Sequence, residues 1–158
     1  MDADGNSEAR IGWGSEFFLG NAAGELVELD EVTEVALPEE TVDDVEVTHM
    51  KSKGKRKEYK GGMIEPGDGS VVFNYIPGSP SDTLVREAQG KVRAFKTTLP
   101  DEDGNPAWQV EGFLYVKSRS RAVPIGDRMT CTVAVGFTGA SEESAVAGGA
   151  AAAQAEDA

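Results

Sequence analysis

The sequence predicts a mostly β protein, a β-sandwich or barrel of the kind that carries one short α-helix packed on it. Between Trp13 and about Gly139, short runs rich in Val, Thr, Phe and Tyr are separated by clusters of Gly, Pro, Asn and Asp, the punctuation of an all-β domain. In "RMTCTVAVGF", Met129, Cys131, Val133, Val135 and Phe137 share one side of an extended chain, because successive side chains of a strand point to opposite faces. A single stretch, "GSPSDTLVREAQG", breaks the β pattern with helix signals at both of its ends.

Taken in order, residues 1–12, "MDADGNSEARIG", are polar and without period, and read as a mobile arm. The domain occupies residues 13–139. Strands are expected near residues 16–19, 25–30, 32–37, 42–50, 70–76, 91–99, 107–116 and 128–137. Ser79 caps the predicted helix, Pro80 suits its first position, Asp82 completes an S-x-x-D box, and Gly90 supplies a left-handed stop. Leu84, Val85 and Ala88 form a narrow apolar stripe, so the helix should lie across a sheet. Residues 140–158, rich in Ala, Gly and Glu, hold no large side chain that could offset the entropy of ordering them, and read as a disordered tail.

At 158 residues the chain suffices for one hydrophobic core without metals or disulfides. Its one cysteine, Cys131, sits in an apolar run and reads as a small buried hydrophobe. No apolar run approaches the length of a membrane span, and no secretory leader is visible, so a protein of the cytoplasm without membrane contact is expected. No cofactor or metal is expected. His49 lacks a Cys or His partner at ligand spacing. "DEDGN", Asp101 to Asn105, starts like a calcium loop, yet Pro106 and Gly112 stand where the loop glycine and the bidentate glutamate belong, so a hairpin turn is the reading. "EPGDGS", Glu65 to Ser70, also reads as a turn. No G-x-S-x-G elbow occurs, and the acidic pairs are sequence neighbours that point to opposite faces, so no enzyme chemistry is predicted.

The charge distribution stands out. A formal net charge of -13 opposes tight binding of nucleic acid, because the long-range field has the sign of the phosphates. Against it, "KSKGKRKEYK" concentrates Lys51, Lys53, Lys55, Arg56, Lys57 and Lys60 in ten residues. Acidic side chains crowd residues 25–46, interleaved with Val and Leu, so that a strand would show carboxylates on one face. Either a nucleic acid or sugar, or another acidic protein surface, would answer the cationic segment.

The order of segments resembles the major tail tube proteins of long-tailed bacteriophages in the lambda-like group. The resemblance runs from about Phe17 to Gly139. It covers "ETVDDVEVTHMKSKGKRKEYKGG", "DGSVVFNYIPGSP" leading into the capped helix, "KVRAFKTTLPDEDGNPAWQVEGFLYV", and "PIGDRMTCTVAVGFTG". It implies a structural virion protein that stacks as hexameric rings into a tube, through which the genome and a tape-measure protein pass, with tail-tip and tail-terminator proteins at the ends. On that reading the chain is its own partner. Lys51, Lys53, Lys55, Arg56, Lys57 and Lys60 form an inter-ring loop, disordered until polymerisation, and Glu28, Asp30, Glu34, Asp44 and Glu46 are candidates to face a bore in which DNA is not held tightly. Trp108, Phe113, Tyr115, Phe73, Tyr75, Val133 and Val135 are expected in the core or in contacts between subunits. The rival reading is a β-sandwich that binds nucleic acid or sugar through residues 51–60.

Overall fold

The computed structural model describes residue 7 and residues 9–146. Nine antiparallel strands and one helix follow each other as β1 (Glu16–Gly20), β2 (Leu26–Glu28), β3 (Val32–Ala36), β4 (Glu40–Glu46), β5 (Tyr59–Pro66), β6 (Asp68–Asn74), α1 (Pro80–Ala88), β7 (Val92–Pro100), β8 (Pro106–Ala122) and β9 (Thr130–Ala145). Seven of them hydrogen-bond in the order β2-β1-β7-β8-β9-β6-β3, and β4 and β5 form a separate ribbon.

The long strands β8 and β9 join two layers. One half of β8 pairs β7, from Val92 opposite Tyr115 to Leu99 opposite Trp108. The first half of β9 pairs β6, from Thr130 opposite Asn74 to Gly136 opposite Asp68. Between them β8 and β9 pair with each other, with the register shifting between Glu111 and Phe113 and again between Val116 and Ser118. Such bulges bend and twist a strand, which lets one strand pair serve both layers. The sheet thereby folds over on itself and encloses the core.

The inward faces follow the two-residue period. Phe17 and Leu19 from β1, Val71 and Phe73 from β6, Phe95 from β7, Val110, Leu114 and Val116 from β8, and Cys131, Val133, Val135 and Phe137 from β9 are buried. Phe95 packs between Phe17, stacked at 6.2 Å, and Phe137, edge-on at 5.1 Å. Gly69 sits where an added Cβ would collide with the Ala36 carbonyl and the Phe137 ring, so the close approach of β3, β6 and β9 requires its bare backbone.

The helix forms as its caps dictate. Ser79 Oγ accepts from the Asp82 amide at 3.3 Å, Pro80 opens the first turn, and Gly90 turns away at φ 72°. The returning bond of the box reaches the Gly78 amide, at 3.3 Å from Asp82 Oδ2. Leu84, Val85 and Ala88 are buried, and the Asp30 amide donates to Ser81 Oγ at 2.9 Å, pinning the helix to the β2–β3 turn. Asp82 is 2% exposed and receives two guanidinium groups, Arg119 on Oδ1 at 3.1 Å and Arg86 on Oδ2 at 3.0 Å. A buried carboxylate so paired ties the helix N-terminus to β8, and the network was not foreseen in the sequence.

Several expectations are corrected. Residues 140–145 are not tail: β9 runs on to Ala145, where Glu142 to Ala145 pair with Glu111 back to Trp108. The low-complexity composition hides a strand whose partner supplies the hydrogen bonds. The rest of the expected tail, 147–158, and residues 1–6 and 8 of the expected arm lie outside the described residues. Residues 59–66 form a strand missed by the sequence reading, and "EPGDGS" is no reversal, since Gly67 alone separates β5 from β6. The strand expected over 42–50 is β4, ending at Glu46. The turn at Asp101 to Asn105 is as expected, with Asp101 Oδ1 accepting from the Asp103 and Asn105 amides at 2.9 Å each.

Removing one partner of the Asp82 network should be costly. Arg119→Met is expected to lower stability by about 3 kcal/mol, because it leaves a buried carboxylate half-satisfied. Urea unfolding should show the midpoint falling with the slope unchanged.

Candidate assembly interface

The ladder of β3 and β6 continues outward as that of β4 and β5. Ala36 lies opposite Ser70, and Glu40 opposite Pro66, so the register is carried across Leu37–Glu39 on one strand and Gly67–Gly69 on the other. The outer half is a two-stranded arm that leaves the core. Gly67 permits the crossing, since a Cβ there would run into the Glu39 carbonyl oxygen. Gly61 and Gly62 sit at the bulge between Val42 and Asp44, where a Cβ on Gly62 would stand 2.8 Å from Val45 Cγ2.

Every residue of β4 is exposed, and so is every residue of β5 before Pro66. Val42, Val45, Tyr59, Ile64 and Met63, the last at 82% exposure, therefore present apolar surface on a ribbon with both edges open. A lone hairpin of this kind is marginal in water, and an open edge is a template for another chain.

At the tip, Lys53–Lys55 makes a turn of 3-10 helix with Gly54 at φ 68° and Lys55 at φ 56°. Glu58 organises it. Its amide donates to Thr48 Oγ1 at 2.9 Å, its carbonyl accepts from the Val47 amide at 2.8 Å, and its carboxylate takes Ser52 Oγ at 2.8 Å and faces His49 Nε2 at 3.4 Å. The loop that was expected to be disordered in the single chain thus closes on a local network, and His49, read as an isolated imidazole, is part of it. Lys51, Lys53, Lys55, Arg56 and Lys57 are gathered at this tip, and none is in an ion pair among the described residues. Lys60 is separated from them, in β5 opposite Val45.

The acidic candidates lie on β2, the β2–β3 turn, β3 and the arm. Glu28 and Asp30 lie at the β2 edge beside Glu16 of β1, Glu34 is on the opposite edge strand β3, and Asp44 and Glu46 are on the arm. Partial desolvation against the sheet, and then the like charges of Glu16 and Asp30, push the Glu28 carboxyl above its ordinary pKa. Among the expected core aromatics, Phe73 is buried, Tyr75 and Tyr115 are half-buried, and Trp108 and Phe113 are exposed. No group of three or more metal-ligating side chains is found among the described residues, and no described helix is long and apolar enough to cross a membrane.

A family model described as lambda phage tail tube protein, TTP, matches residues 13–144. The chain belongs to that family. It is a structural protein of the phage tail, and the match runs past Gly139 into the second half of β9, in accord with the strand seen there. No curated protein matches the sequence. Among solved structures, the chain is similar to the tail of an empty gene transfer agent particle refined with C6 symmetry, at 19% identity and TM-score 0.66, covering 86% of this chain and 99% of that one. It is similar to a protein of the six-fold symmetrised anti-feeding prophage baseplate, at 8% identity and TM-score 0.66, covering 88% and 97%. The SPP1 tail tube protein shares 14% identity at TM-score 0.60, covering 84% of this chain and 77% of that one. These likenesses show that the tail tube fold is shared.

The acidic corner of this tail tube protein yields a pH test. Because the folded-state pKa of Glu28 is raised, folding disfavours its ionised form, a cost present above that raised value and absent below the ordinary carboxylate range. Glu28→Gln should therefore raise the melting temperature of the unassembled chain at pH 7 by about a degree, with the gain vanishing below about pH 4. Scanning calorimetry at both pH values checks the sign.

Proposed function

We propose that the chain closes into six-membered rings that stack into the tube of a phage tail, with the β4–β5 arm as the link between rings. The family supports the tube, and the six-fold order belongs to the gene transfer agent tail and anti-feeding prophage assemblies of the same fold. The observation that carries the reading is the arm. It projects from the core, exposes apolar side chains on both faces, and ends in five cations on a chain of net charge -13. A cationic tip on an acidic body finds its complement on a copy of itself, and a contact that joins different patches of identical copies propagates instead of closing.

On this reading Lys51, Lys53, Lys55, Arg56 and Lys57 meet carboxylates of the next ring, and Lys60 supports the arm from within its ribbon. Glu28 and Asp30, with Glu16, face the bore, where like charge denies DNA a deep binding well. Glu34, Asp44 and Glu46 then serve the outer and inter-ring surfaces. The tube ends on tip and terminator proteins, a tape-measure protein occupies the bore before the genome, and assembly takes place in the host cytoplasm. A tube-terminating cap of the anti-feeding prophage has the same fold, at TM-score 0.64, which supports end-capping by a related subunit. No catalytic step is needed for this role.

The test is charge reversal at the tip. Lys55→Glu, Arg56→Glu and Lys57→Glu combined should leave the melting temperature of the single chain unchanged and reduce tube formation at least tenfold, because each reversed charge replaces an attraction by a repulsion at the docking surface. Negative-stain microscopy of concentrated protein, repeated at high salt, reads the outcome. Tubes formed as readily by the triple variant would remove the arm from the inter-ring contact.

A further inference from the structure

The loop between β8 and β9 is out of keeping with its position. Loop tips over the surface are ordinarily polar, yet "VPIGDRM" places Val123 at 69% exposure and Ile125 at 105% at the end of the longest strand pair in the fold. Gly126, at φ 85°, makes the tight turn that thrusts Ile125 outward. The Asp127 carboxylate accepts from the Arg128 amide at 2.7 Å and keeps its charge, so Arg128, Asp127 and Arg121 at the end of β8 leave this knob with a small positive excess. No part of the assembly reading uses it.

The fold also carries a socket. At the root of the arm, where β9 bulges at Gly139 (φ 72°), Pro38, Ile64, Pro66, Phe113, Phe137 and Thr138 line an apolar groove of about 400 Å³. Phe113 and Ile64 stand half or more exposed in its wall. The charge around it is negative: Glu40 lies in the groove, and Glu111 and Glu142 flank Phe113 in the adjoining hollow.

We propose that the β8–β9 knob of one copy, Val123 and Ile125 with Arg128, seats in the groove around Phe113 of a neighbouring copy. An aliphatic knob whose two arginines outnumber its one carboxylate suits an apolar groove edged by carboxylates. The arm tip is a poorer occupant, because its one large apolar side chain, Met50, stands among five cations. A copy cannot fill its own groove: Phe113 and Thr138 face each other across β8 and β9 roughly 25–30 Å along the strands from the loop. The contact is therefore head-to-tail, and every subunit of a ring or stack gives one knob and receives one. It rests on the self-assembly proposed above, and it adds an apolar contact that salt does not weaken to the electrostatic one made by the arm.

Two singly substituted chains, Ile125→Cys and Thr138→Cys, one carrying a mass tag, test the pairing. Mixed at assembling concentration and oxidised mildly, they should give a disulfide-linked dimer containing one of each, while Cys131, fully buried, stays out of the reaction. In parallel Ile125→Asp, a change at a solvent-exposed tip, should keep the wild-type melting temperature and cut tube yield roughly tenfold or more. Tubes without the mixed dimer, a Met50→Cys chain linking to Thr138→Cys in its place, or normal tubes from Ile125→Asp would each overturn the contact and leave the tube reading standing. A mixed dimer in concentrated protein that never forms tubes would uphold the contact and remove the tube reading. Neither dimer nor tubes would overturn both.

Discussion

Antiparallel pairing of β8 with β9 along almost their whole lengths fixes the place of every other element. Backbone N–H and C=O groups must find partners, and a strand pair of 17 and 16 residues offers more of them than one flat layer can use. The bulges at Gly112 and Lys117 bend the pair, and each half then recruits its own neighbours, β7 and β1 on one side, β6 and β3 on the other. Phe95 and Phe137 meet at the bend, in the middle of the core, and Gly112 stays bare because a Cβ would press on the Phe95 ring at 3.0 Å. The Asp82–Arg119 pair then fastens the helix to β8. Spine, core and helix are thus joined by pairing, packing and an ion pair.

The arm stands outside that logic. Its strands add hydrogen bonds to each other but bury nothing in the single chain, so the ribbon contributes little to folding and its apolar side chains remain in water. A sequence under no constraint but the stability of the monomer would not keep Met63, Ile64 and Val42 there. Membership in a tail tube family supplies the reason, since a subunit that must join copies of itself has to reserve surface that its own core cannot satisfy.

What was legible in the sequence was the part that buries one face. The alternation from Cys131 to Phe137, the cap at Ser79 and the stop at Gly90 were all readable, because each reflects a local rule that the tertiary structure also needs. The same rules fail where neither face is buried. β5, with two glycines and one lysine in its eight residues, shows no alternation because both its sides face solvent. The outer half of β9, "GASEESA", is ordered by hydrogen bonds to β8 and carries no hydrophobic signal. The clustering of the cations was visible, but the ion pairs of Asp82 with Arg119 were not, because their partners lie on different elements and no spacing announces them. The acidic run from Glu25 to Glu46 looked like one surface in the sequence, yet its members are distributed over β2, β3 and the arm, since β2 and β3 end the strand order and β4 carries β3 outward.

A net charge of -13 and exposed apolar patches act in opposite senses, and their balance governs when copies meet. At a distance the bodies repel, because the field at a Debye length or more reflects the total charge. At contact the local arrangement takes over: the cations of the arm tip lie within a few ångströms of whatever they touch, where unscreened pairs outweigh the residual field, and apolar surface adds an attraction that has no long-range part at all. Repulsion far away combined with specific attraction close up disfavours random aggregates and permits only encounters that align complementary patches. For a subunit that adds in one orientation to copies of itself, as proposed above, that combination is the physical requirement, and both terms are present on the surface of the single chain.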